Sequence, residues 1–93
     1  KIIYHSNIIA NKFDNHITDL KYRNNEIYIS TATNGLIIFD TKNRLTKKIN
    51  KKDGLLSDNC RALFITGDYI WIGHDEGVSI LYKRKAKNSF NRN

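Results

Sequence analysis

"YIWIGHDEGVSIL" (residues 69–81) and "EIYISTATNGLIIF" (residues 26–39) share one order: apolar and aromatic residues, a small residue, a polar loop, a glycine, then apolar residues again. Working outward, "FDNHITDLKYRNNEIYIS" from Phe13 aligns with "LSDNCRALFITGDYIWIG" from Leu56, 43 residues further on. Leu20 then matches Leu63, Ile27 matches Ile70, Tyr28 matches Trp71, and Ile29 matches Ile72. Gly35 falls opposite Gly77 at a spacing of 42, so one residue is lost in the loop between, where deletions are tolerated. The tails repeat as well: "DTKNRLTKKIN" after Phe39 and "YKRKAKNSFNRN" after Leu81 are both basic and both end in a lone hydrophobe followed by Asn.

A repeat of about 42 residues has the length of a four-stranded propeller blade. Each copy reads accordingly as strands. Residues 17–22 and 60–65 form first strands, and residues 26–30 and 69–73 form second strands rich in β-branched and aromatic side chains. Asn24-Asn25 and Gly67-Asp68 between them tolerate the positive φ of a two-residue hairpin. Third strands follow at 36–40 and 78–82, with Gly35 and Gly77 closing the preceding loops at positive φ. Outer strands are expected at 45–50 and 89–93. The runs "IYI" and "IWI" are apolar on both faces, which suits a sheet held between neighbours.

The expected fold class is therefore all-β: about two four-stranded antiparallel propeller blades, at 13–55 and 56–93. Residues 1–12 would be the outer strand and connector of a preceding blade. Two blades cannot close a ring, because each needs a neighbour on both faces. The chain reads as a piece of a larger propeller or as one of several copies assembling into a ring; its partners would be further blades.

Composition bounds the rest. With 93 residues, 40% hydrophobic and 11% aromatic, the chain holds at most one modest core. No apolar run approaches the length that crosses a bilayer, and "KIIYHSNIIANK" lacks the apolar core and cleavage site of a secretory signal. Cys60, the single cysteine, excludes an internal disulfide and a cysteine-cluster zinc site. It matches Ile17, so it reads as a small buried side chain.

The net charge of +7 raises nucleic-acid binding. Six basic residues (Lys42, Arg44, Lys47, Lys48, Lys51, Lys52) lie in the first outer segment and five (Lys83, Arg84, Lys85, Lys87, Arg92) in the second. This recurrence on a solvated rim fits edge strands guarded by lysine better than a polyanion footprint.

Candidate chemistry is sparse. His74, Asp75 and Glu76 form the densest ionisable cluster, but neighbouring residues of a strand-connecting loop diverge, and the other copy has Thr31, Ala32, Thr33 and Asn34 there. His5 stands alone and His16 matches Asn59. No Ser-His-Asp order, phosphate-cradling loop or paired metal spacing appears. No cofactor is implied.

The stretch "KKDGLLSDNCRALFITGDYIWIGHDEGVSILYK" resembles the two-component regulator propeller repeat. It carries Asp53, Gly54, Leu55, Ser57 and Asn59 of the DGL-S-x-N pattern, then Trp71-Ile72-Gly73, then Gly77. The first copy keeps Tyr28-Ile29-Ser30 and Asn34-Gly35-Leu36 but has "NKFDNH" for the DGL stretch. The resemblance implies a periplasmic sensor segment of a hybrid histidine kinase that detects carbohydrate fragments; no kinase, receiver or DNA-binding segment lies in these residues.

In such an array the loops joining second to third strands and the connectors between blades gather on one face. Asn15, Thr33, Asn34, Asp58, Asn59, His74, Asp75 and Glu76 are accordingly the expected ligand contacts. The competing classes are a propeller-based enzyme acting on polysaccharide and a polyanion-binding module that uses the basic rim.

Overall fold

The structure, a computed structural model, describes residues 16–83. The expected outer strand at 89–93, the leading segment 1–12, Asn15, and Arg84, Lys85, Lys87 and Arg92 lie outside the described residues. Seven strands run β1 (Ile17–Arg23), β2 (Glu26–Thr31), β3 (Leu36–Asp40), β4 (Leu45–Ile49), β5 (Ala62–Thr66), β6 (Tyr69–Gly73) and β7 (Val78–Tyr82). A single 3-10 turn at Lys51–Asp53 separates β4 from β5. They form two antiparallel meanders, β1-β2-β3-β4 and β5-β6-β7.

Local chemistry fixes each hairpin. Asn24 and Asn25 both take positive φ, 52° and 64°, as a twist-matched two-residue turn requires. In the second copy Gly67 takes positive φ, at 58°, and Asp68 does not. Gly35 has φ 79°, and an added Cβ would meet the Ile49 carbonyl oxygen at 2.3 Å. Gly77 differs from the expected reading: its φ is not positive, and its small size instead admits the tip of Leu56, 2.9 Å from where a Cβ would stand.

Register then decides which side chains share a face. In the first sheet Lys21, Tyr28, Ile38 and Lys47 line up across the strands, while Leu20, Ile29, Ile37 and Lys48 line up on the opposite face. In the second, Leu63, Ile72 and Ser79 align with Ile65, Ile70 and Leu81 on one face; Phe64, Trp71 and Ile80 cross the other. The core is the seam between sheets, where Tyr28, Leu36 and Ile38 pack with Leu63, Ile70 and Ile72, closed by Leu55 and Cys60. Cys60 is fully buried, as expected, although Ile17, its match in the first copy, is 47% exposed.

Polar latches tie the seam along β1 and β5. A register shift between Ile17 and Asp19 lets Thr18 and Asp19 reach across. The Thr18 hydroxyl donates to the Cys60 carbonyl at 2.7 Å, and the Leu63 N–H donates to Asp19 Oδ2 at 2.8 Å. β5 starts at Ala62 rather than 60 because the Cys60 N–H donates to the Thr31 carbonyl of the first sheet, at 2.9 Å.

β4 is the outer strand of the four-stranded sheet, and Lys47 and Lys48 on it are exposed, as are Lys42, Arg44, Lys51 and Lys52. That is the guarded edge expected from the sequence. Lys83 departs from the rim assignment: it is half-buried and pairs with Glu26 at 3.1 Å.

Candidate functional site

The DGL-S-x-N stretch acquires its meaning residue by residue. Asn50 and Asp53 cap the 3-10 turn reciprocally: the Asn50 side chain accepts from the Lys52 N–H, and the Asp53 carboxylate accepts from the Asn50 N–H at 3.0 Å. Gly54 ends the turn at φ 112°, in the left-handed region that disfavours side chains. Leu55 then enters the core, and the Ser57 hydroxyl accepts from the Asn59 N–H at 3.0 Å.

This connector meets both predicted loops at one end of the seam. The Gly35 N–H donates to the Asp58 carbonyl at 2.8 Å, and Asn59 Nδ2 reaches the Ala32 carbonyl at 3.5 Å. On its other side Asn59 Oδ1 accepts from the Asp75 N–H at 2.9 Å. The loops 31–35 and 74–77 and the connector thus converge at one end of the seam.

What the residues do there is mostly structural. His74 is buried, 8% exposed; its Nδ1 lies 2.6 Å from the Asn59 carbonyl, which can only accept, so Nδ1 carries the donated proton. Nε2 lies 2.7 Å from the Ser79 hydroxyl, which also accepts from the Leu56 N–H at 2.9 Å. Asp75 makes a two-pronged pair with Arg61 at 3.0 and 3.2 Å, which lowers its carboxyl pKa. Asp58 Oδ1 accepts from the Lys51 N–H at 2.7 Å. Asn34 donates its N–H to Thr31 Oγ1 at 3.0 Å. Thr33 and Glu76 are exposed; Asn15 is outside the described residues.

Burial first, and then the Asp58 carboxylate, push the Cys60 thiol up to about 11. No three His, Cys, Asp or Glu side chains gather at metal-binding distance among the described residues.

A second polar cluster, which sequence reasoning missed, closes the opposite end of the seam. The Tyr28 hydroxyl donates to Glu26 Oε1 at 2.6 Å, Lys83 holds Oε2, and Arg23 Nη1 donates to the Gly67 carbonyl. Burial and then the Glu26 carboxylate raise the Tyr28 pKa, keeping the hydroxyl a donor. A cleft of about 390 Å³ adjoins it, with Ile38 and Leu45 among its apolar walls and Lys47 at its rim. The missed signal is Glu26 at β2 and Lys83 after β7, charges at matching strand ends.

No helix among the described residues is long and apolar enough to cross a membrane. Comparison with protein-family models, curated proteins and solved structures finds no match.

Proposed function

We propose that the two sheets are successive blades of a β-propeller, and that the chain is a non-catalytic segment of the ligand-sensing region of a bacterial two-component receptor. The compartment would be the periplasm and the ligand an oligosaccharide fragment. One observation carries the blade reading: the sheets stack in the same sense. The first sheet's Tyr28 face is the equivalent, 43 residues earlier, of the second sheet's Trp71 face, yet it packs on the opposite, Ile70–Ile72 face of that sheet. Like faces do not meet, so the stacking rule can be repeated without end, as in an array of repeats.

The convergent loops support the sensing role, because two loops and a connector are hydrogen-bonded into one rim, on which Thr33 and Glu76 are exposed and Asp75, also exposed, is held by Arg61. Calorimetric titration of the chain with neutral and uronic-acid oligosaccharides tests it. We expect measurable binding that falls at least about tenfold, or 1.4 kcal/mol, in the Thr33→Ala/Glu76→Ala double variant. Binding that the double variant leaves unchanged would remove this face, and no binding to any of the sugars would remove the ligand class.

A further inference from the structure

We infer that the Trp71 face of the second sheet docks a second copy of this chain, head to tail, through the β1 half of that copy's first sheet. The inference deepens the stacked-sheet reading above and rests on it. Phe64 and Ile80 flank Trp71 across this face, and they are 62%, 54% and 40% exposed in that order. No residue that the register places on the face is charged, in a chain of net charge +7. An apolar sheet face of this extent marks an interaction surface.

The occupant follows from the interface already built inside the chain. There, the face carrying Lys21, Tyr28 and Ile38 receives the face carrying Leu63, Ile70 and Ile72. Moved forward one repeat, the receiving residues become Phe64, Trp71 and Ile80. Moved back one repeat, the docking residues become Leu20, Ile27 and Ile29. The chain therefore carries a receiving face on its second sheet and, with Ile29 already buried, the β1 part of the matching docking face on its first, a heterologous pair.

Exposure locates the meeting strands. On the first sheet's outer face Ile29 and Ile37 are buried, whereas Leu20 and Tyr22 on β1 stand 53% and 61% exposed. Within the chain it is β1 and β5 that lie closest across the seam. The same pair would meet between copies, with Leu20 and Tyr22 of one on Phe64 and Trp71 of the other.

The new contact would differ from the internal one in its chemistry. The internal latches Asp19, Arg23 and Glu26 correspond to Ala62, Thr66 and Tyr69. No ion pair spans the docking face, so association should persist or strengthen with salt, which screens the mutual repulsion of basic copies.

Trp71 is the only tryptophan, so its emission reports the face directly. On raising the concentration of the full chain we expect emission to move to shorter wavelength as sedimentation mass rises above that of one chain. Phe64→Lys and Leu20→Lys variants, each checked for fold by far-UV circular dichroism, should both remain monomeric alone and form a dimer when mixed, because one intact half survives on each. Dimers of Leu20→Lys alone would show a two-fold contact of Trp71 faces and overturn the proposal. So would a monomeric chain at every concentration, a mixture that stays monomeric, or a wavelength shift caused by oligosaccharide with no change in mass. The mass measurements do not depend on sugar and the Thr33→Ala/Glu76→Ala titration does not depend on mass, so the docking and sensing readings fail separately.

Discussion

Thr31 and His74 stand 43 residues apart at the same point of the two copies, where the second strand gives way to its loop. Both loops share a backbone frame: the Thr31 N–H donates to the Gly35 carbonyl at 3.0 Å, and the His74 N–H to the Gly77 carbonyl at 2.7 Å. The closures differ. Thr31 closes its loop from within, its hydroxyl donating to the Gly35 carbonyl at 2.6 Å and accepting from Asn34. His74 instead reaches outward to Asn59 and Ser79, so the second loop is held by the connector beneath it. The lesson is that a repeated backbone can be kept while local satisfaction is exchanged for a longer-range tie.

Breaking each closure should sharpen the contrast. His74→Ala empties a buried position and strands two polar partners, and should destabilise the fold by about 3 kcal/mol, read as a lower urea midpoint. The same variant should let Cys60 react with a thiol reagent at neutral pH faster than the fully buried thiol of the native chain does. Gly35→Ala forces a Cβ against the Ile49 carbonyl at positive φ; a loss of about 2 kcal/mol is expected. Thr31→Val keeps the shape but removes the internal closure, and should cost about 1 kcal/mol without exposing Cys60.

A smaller effect is expected in acid. Burial opposes ionisation of Asp19, but the Leu63 and Leu20 N–H groups and Lys21 outweigh it and lower its pKa. A depressed folded pKa means that its stabilisation is present above the unfolded value near 3.8 and is lost as pH falls through the folded one. Asp19→Asn should therefore flatten the stability profile below about pH 4, compared by denaturation at pH 2.5, 4 and 7. The smallest effect is expected from Arg61→Ala: the Asp75 pair is exposed, and the melting temperature should not move measurably.

Strand positions were legible because they rest on local pattern. The alternation in "YIWIG" and the asparagine pair at 24–25 each specify geometry without help from distant residues. The reciprocal cap of Asn50 and Asp53 was legible in principle, three residues apart before a glycine, yet it was hidden inside a motif read as a whole. The loop site was legible only as a location. That His74 would be buried, or that Asp75 would meet Arg61, depends on which loop lands beside the connector, and no local pattern carries that. The shift at Ile17–Asp19, which aims Thr18 and Asp19 across the seam, was equally invisible.

The bonds from Gly35 to Asp58 and from Cys60 to Thr31 join the sheets like the pin of a hinge. Far from that pin, the reach of Lys83 to Glu26 and of Arg23 to Gly67 clasps the two leaves. Transient parting of the leaves should begin at the clasp and die away toward the pin. Amide exchange should accordingly be faster across 26–28 than across 30–31, a gradient running along a single strand.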